Sequence, residues 1–86
     1  MLVVGGDISL DGGKIILRNY NAEDDVLGWD RPLNLTVEEA MMNLEPCGYN
    51  IVSEPQGEAI TFNPEGSGFY TTSENVNQPI YFYEFL

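Results

Sequence analysis

Carboxylates are the most abundant groups in this chain that could do chemistry. The sequence holds 14 Asp and Glu residues against 3 Lys and Arg, with no histidine. A pair of carboxylates can act as general acid and base in glycoside hydrolysis, and several together can bind calcium. No spacing singles out such a pair here. The acidic stretch Glu23-Asp24-Asp25 lacks the full spacing of a calcium loop, so we interpret it as a solvated loop.

The missing histidine and the single cysteine exclude several mechanisms. A Ser-His-Asp triad, a Cys-His pair, histidine metal ligation and a cysteine zinc cluster cannot form within one such chain. Cys47 follows Pro46 and precedes Gly48, with no base or cation nearby that would stabilise a thiolate. We interpret it as structural. No catalytic constellation is recognisable, which favours a non-enzymatic role and leaves the enzyme question open.

The charge balance restricts the partners. A formal net charge of −11 repels phosphate backbones and anionic membranes, so we expect neither nucleic acid nor membrane as a partner. Solubility alone can explain such an excess; a cation site or a basic partner is the alternative. No apolar run is long enough to span a bilayer, and the start at Met1 lacks the basic region of a signal peptide. We therefore expect a soluble protein, whose compartment the sequence does not assign.

Alternating apolar residues and turn signals predict a chain built mainly of strands. Asp11-Gly12 and Asn63-Pro64-Glu65-Gly66 have the composition of tight turns. The strands are expected at residues 4–9, 14–20, 26–30, 47–52, 57–62, 68–73 and 80–86.

One short helix is predicted at about residues 36–45. Thr36 and Glu39 form a capping-box pattern, and Pro46 ends the segment. Apolar residues spaced to fall on one face would dock it against a sheet. These residues are Val37, Ala40, Met41 and Leu44.

Two parts of the chain match each other at an offset of 54 positions. Asp11-Gly12 aligns with Glu65-Gly66, and Trp29-Asp30 aligns with Tyr83-Glu84. We therefore predict one domain of two repeats, 1–32 and 55–86, joined by a helix-containing insertion, 33–54. The alternative is that any two three-stranded meanders would align this well.

The strand, Asp-Gly turn, strand, loop, strand unit resembles a β-propeller blade, and Trp29-Asp30 falls where tryptophan–aspartate repeats place that dipeptide. The second unit is similar to the last repeat of bacterial esterase-like and phytase-like propellers, and the first unit to the repeat before it. The segments that carry this likeness in the second unit are Gln56-Gly57-Glu58-Ala59-Ile60, Asn63-Pro64-Glu65-Gly66 and Tyr70-Thr71-Thr72-Ser73-Glu74. In the first unit they are Gly6-Asp7-Ile8-Ser9, Asp11-Gly12, Leu17-Arg18 and Trp29-Asp30-Arg31-Pro32. The implied fold is mainly β, with two propeller-type antiparallel blades and one inserted helix.

The chain is shorter than the proteins that it resembles. Complete propellers have at least four blades, usually of four strands each, and this chain holds about two blades. Residues 47–52 would complete the first blade, whereas the second stops at its third strand. Either residues 1–4 of another copy supply the fourth strand, or the chain is a fragment. We expect a homo-oligomeric ring, with three chains giving six blades as the simplest closure. A monomeric open sheet with the helix across one face is the alternative.

The resemblance also implies a binding site. The first strand of a blade lines the channel, which would place Asp7 and Glu58 there, while Arg18 and Glu74 would end the second strands near one rim. We predict these four residues as ligand-binding. No cofactor is expected and the metal is left unassigned, although carboxylates at a channel mouth could hold calcium. The alternative is structural: Arg18 pairs with a carboxylate across a blade boundary, while Asp7 and Glu58 bond backbone amides.

Two main functions follow from these expectations, and a vestigial fragment with no present activity is a third possibility. The first is a non-enzymatic binding or assembly module built from propeller-type blades. The second is a fragment of a metal-dependent phytase-like or esterase-like hydrolase. The aromatic segment 81–85 can be a ligand-stacking platform in either case, or it can be core or subunit interface.

Overall fold

The computed structural model describes residues 2–20, 24–52, 57–74 and 77–85, and only the backbone of Gly57 and Glu58. These residues form seven strands and one helix. In chain order they are β1 (Leu2–Ile8), β2 (Lys14–Tyr20), β3 (Val26–Asp30), α1 (Val37–Asn43), β4 (Cys47–Tyr49), β5 (Gly57–Phe62), β6 (Gly68–Ser73) and β7 (Tyr81–Glu84).

The strands form two antiparallel sheets. Sheet 1 has the order β1-β2-β3-β4 and sheet 2 the order β5-β6-β7. The prediction of a mainly β fold, with two meanders and one inserted helix, is confirmed. As expected, the segment after the helix forms the outer strand of the first meander, although it pairs only over Cys47–Tyr49. Leu2 and Val3 pair with β2 of the same chain, so they are not spare residues for a fourth strand elsewhere.

The first turns of the two sheets have matching hydrogen bonds, 54 residues apart. In sheet 1 the Ser9 amide donates to the Lys14 carbonyl at 2.9 Å, and the Lys14 amide donates to Ser9 Oγ at 2.9 Å. In sheet 2 the Asn63 amide donates to the Gly68 carbonyl at 3.1 Å, and the Gly68 amide donates to Asn63 Oδ1 at 3.1 Å. Both turns therefore use one polar side chain to close the loop.

The correspondence extends along the strands. Gly12 and Gly66 have φ values of +76° and +71°, a conformation that favours glycine. A bulge lies between Val3 and Gly5 in sheet 1, and between Gly57 and Ala59 in sheet 2. These positions also differ by 54. The two sheets thus share one local geometry.

Each sheet has two faces, which we name by their residues. The front face carries Asp7, Ile16, Arg18 and Val26 in sheet 1, and Thr61, Tyr70, Thr72 and Phe82 in sheet 2. The back face carries Ile8, Ile15, Leu17 and Trp29 in sheet 1, and Phe62, Phe69, Thr71 and Tyr83 in sheet 2. Residues paired across neighbouring strands share a face, so the alignment maps front onto front and back onto back.

The main core lies between the front of sheet 1 and the back of sheet 2. Ile16 and Val26 pack there against Ile60, Phe62 and Phe69. Aromatic rings from both sheets pack against this core. Tyr49 comes from β4 of sheet 1, Tyr83 from β7 of sheet 2, and Phe85 directly follows β7. Burial of these apolar side chains holds the two sheets together.

The helix covers part of the back of sheet 1. Ala40 packs against Ile15 and Trp29, and the Trp29 indole Nε1 donates to the Leu44 carbonyl at 3.1 Å. The predicted capping box is present: the Glu39 amide donates to Thr36 Oγ1 at 3.1 Å, and the Thr36 amide donates to Glu39 Oε1 at 2.9 Å. The bond that the Glu39 carboxyl accepts from the Thr36 amide is the main cause of the lowered pKa of that carboxyl.

The cap predicts a specific loss of stability. Replacing Thr36→Ala removes the acceptor for the Glu39 amide, so we expect the free energy of unfolding to fall by about 1 kcal/mol. Thr36→Ser keeps the hydroxyl and should unfold close to the wild type. Urea unfolding followed by circular dichroism measures both variants. Equal midpoints for the alanine and serine variants would contradict the role of the cap.

Candidate functional site

Asp7 connects the two sheets through its carboxylate. Its Oδ2 accepts from the Phe62 amide at 2.8 Å and from Thr61 Oγ1 at 3.0 Å, and its Oδ1 accepts from the Ile8 amide at 2.9 Å. The side chain therefore satisfies backbone donors at the end of β5. Bonding of backbone amides was the structural alternative for this residue, and the structure contains that arrangement.

Arg18 makes the second connection. Its side chain lies on the front of sheet 1 and is only 3% exposed. The Nη1 atom donates to the carbonyls of Ala59 at 2.9 Å and Thr72 at 3.3 Å. A buried guanidinium requires such acceptors, because burial of an unpaired charge is costly. Arg18 thus joins β2 to both β5 and β6.

The four predicted ligand-binding residues do not all lie together. Asp7 and Arg18 share the front of sheet 1, where both bond to sheet 2. Glu74 lies exposed just after β6. Glu58 belongs to β5, but its side chain lies outside the described residues. Asp7 and Arg18 therefore have structural partners, and ligand binding by any of the four stays a prediction.

The described residues contain no group of three or more Cys, Asp or Glu side chains placed to hold a metal ion. In the acidic stretch, Asp25 Oδ2 accepts from the Ile51 amide at 3.0 Å, so this carboxylate fixes the chain after β4 as well as facing solvent. Glu23 lies outside the described part. Cys47 is an exposed free thiol at the outer edge of sheet 1. None of the described helices is long and apolar enough to cross a membrane.

An open cleft of about 360 Å³ separates the two turns, lined by Asp11, Lys14 and Glu65 among others. Asp11 Oδ1 accepts from the Gly13 amide and from Ser9 Oγ, both at 2.8 Å, and these bonds lower the pKa of its carboxyl. Lys14 Nζ lies 2.6 Å from Asp30 Oδ1. Asp11 thus stabilises its own turn and Lys14 pairs with β3, so the bonds of these two groups are structural.

The front of sheet 2 is the surface that sequence reasoning located only in part. Tyr70 and Phe82 lie side by side, with ring centroids 4.9 Å apart, and are 37% and 45% exposed. A Cβ on Gly68 would lie 2.6 Å from Phe82 Cζ, so the missing side chain lets the Phe82 ring lie over the sheet. We name Tyr70, Phe82 and the neighbouring Thr61 the aromatic platform. Alternation in 80–86 indicated two apolar faces, but could not say which one stays open.

A scan against protein-family models, a search of curated proteins and a search of solved structures found no match for this chain. The likeness to propeller blades accordingly stays an expectation from the sequence.

The hydrogen bonds of Arg18 to sheet 2 predict that two similar substitutions lower the stability of the fold by different amounts. Arg18→Met should lower the free energy of unfolding by roughly 2–3 kcal/mol, because two partly buried carbonyls lose a charged donor. Lys14→Met is the matched control: it removes a half-exposed cation whose pair with Asp30 faces solvent, and should cost under about 1 kcal/mol. Urea unfolding of both variants gives the comparison. A loss for Lys14→Met as large as that for Arg18→Met would contradict the assigned role.

Proposed function

We propose that this chain is a propeller-type assembly module that completes its structure by binding further copies of itself. The observation that carries the proposal is a contrast between equivalent faces. The front of sheet 1 is buried against sheet 2, whereas the front of sheet 2 is open to solvent in the described part of the chain.

Equivalent residues show how large that contrast is. Ile16 is 1% exposed, and its counterpart Tyr70 is 37% exposed. Val26 is 0% exposed, and its counterpart Ile80 is 68% exposed. Scattered apolar residues on a surface are ordinary, but adjacent large apolar side chains, as Tyr70 and Phe82 are here, are typical of an interaction site. These side chains also lie on the front of sheet 2, and the equivalent face of sheet 1 is covered within the same chain.

The shared geometry of the two sheets supports the blade interpretation. Matching turns, bulges and strand registers recur at an offset of 54 residues, as expected for two copies of one unit. β1 also lies beside β5, so the first strands of the two meanders are neighbours, as the inner strands of adjacent blades are. Because each chain supplies two sheets, three chains would supply six.

The net charge of the chain opposes association and supplies a test. Copies with a formal charge of −11 repel one another, and salt screens that repulsion. We therefore expect a closed oligomer whose population grows with protein concentration, and which forms more readily at ~1 M NaCl, where the Debye length is about 3 Å. Size-exclusion chromatography with light scattering measures the mass. A monomer at high micromolar concentration in both low and high salt would contradict the proposal.

A further inference from the structure

We infer that the copies associate head to tail: the aromatic platform of one chain binds a groove on the back of sheet 1 of the next. This inference rests on the proposed function and adds the two surfaces and their orientation. A head-to-tail contact joins two different patches, so it can continue around a ring, whereas a contact between identical patches ends at a dimer.

The interface inside the chain is the template for this contact. There, the front of sheet 1 packs on the back of sheet 2, with Ile16 and Val26 facing Phe62 and Phe69. The platform is the front of sheet 2, and the groove belongs to the back of sheet 1. Repeating the same packing once more therefore brings the platform onto the groove of a second copy.

The groove has room for such an occupant. It is an open, largely apolar depression of about 400 Å³ between β1, β2 and α1, lined by Gly6, Ile8, Leu17, Val37 and Met41 among others. Ile8 is 45% exposed, whereas its counterpart Phe62, on the covered back of sheet 2, is 8% exposed. The back of sheet 2 is thus covered by sheet 1 at this position, whereas the equivalent position on the back of sheet 1 is exposed.

The helix determines which part of the back stays open. α1 packs over Ile15 and Trp29, which correspond to Phe69 and Tyr83 in sheet 2. The half of the back near β1 is left uncovered, with Met41 forming one wall of the groove. Ile16, the counterpart of Tyr70, packs in the template with Ile60 and Phe62 of β5, and β5 corresponds to β1. The repeated packing therefore directs Tyr70 toward that uncovered half.

Charges are complementary at the end of the sheets where the turns lie. Within the chain, Lys14 Nζ lies 5.3 Å from the ring centre of Phe85 and forms an ion pair with Asp30. The counterparts of Asp30 and Phe85 are Glu84 and Arg31. The repeated packing therefore places the positions of Glu84 and Arg31 at the same end of the joint, although the counterpart of Lys14, which links Asp30 to Phe85 within the chain, is Gly68. Arg31 lies at this end of sheet 1, where its Nε donates to the Gly12 carbonyl at 2.7 Å.

Two single-site variants test the orientation. Tyr70→Asp disables the platform but leaves the groove, and Ile8→Asp disables the groove but leaves the platform. Each variant alone should be monomeric, with the apparent dissociation constant raised by roughly tenfold or more. Leu10→Asp is the matched control, because it makes the same change in charge at a residue that is 89% exposed in the turn. It should associate like the wild type.

The decisive measurement mixes the two variants. Each lacks one surface and keeps the other, so the mixture should form a 1:1 heterodimer and nothing larger, which native mass spectrometry resolves when one chain carries a small mass tag. Circular dichroism verifies that both variants fold. If either fails to fold, Phe82→Asp replaces the platform variant and Met41→Glu replaces the groove variant.

Other outcomes separate the inference from the function on which it rests. If Ile8→Asp and Met41→Glu both associate like the wild type, the groove is not used and the inference is wrong, while self-association stands. If the mixed variants stay monomeric, the two surfaces do not bind each other, and the inference fails equally. A wild type that is monomeric under every salt condition removes the proposed function itself. A wild type that forms no complex with itself, but does form one with an added basic polypeptide, would also overturn the inference, since the partner would then not be a second copy of the chain.

Discussion

Contact between the front of sheet 1 and the back of sheet 2 is the interaction on which the rest of the structure depends. A sheet of three or four strands has two faces, and in a short chain at least one of them needs a partner. Here the two sheets serve as partners for each other, with apolar side chains in the centre. Asp7 and Arg18 add polar connections that satisfy backbone groups of β5 and β6. Each sheet thereby gains a covered face that it could not provide alone.

Much of the fold was predictable because its signals are local. Turn residues with glycine at positive φ, the Thr36 and Glu39 cap, and strands bounded by polar loops all depend on neighbours in the sequence. β2, β3, β5 and β6 accordingly have their predicted limits. Strand ends that depend on more distant partners moved: β1 begins at Leu2 because Tyr20 pairs with it, and β7 ends at Glu84.

The candidate sites were less predictable, since they depend on which face of sheet 1 packs against which face of sheet 2. Alternation places Tyr70 and Phe82 on one face and Phe69 and Tyr83 on the other, but both faces are aromatic and both look equally suited to a core. Only the packing against sheet 1 decides that the second pair is covered. Asp7 and Arg18 show the same limit. The propeller likeness suggested ligand chemistry for both residues, whereas in the structure each hydrogen-bonds to backbone groups of the other sheet.

The helix has a consequence for how an assembly of the proposed kind would come apart. Within a chain, two full sheet faces meet, whereas between chains α1 occupies part of the area that a second sheet would otherwise contact. In such an assembly, the contacts between copies would therefore be smaller than the contact between the two sheets inside each copy. Dilution or heating would first release intact subunits, and these would lose their own structure only under harsher conditions. In such an assembly the inserted segment would make the contacts between subunits weaker than the contacts within each subunit.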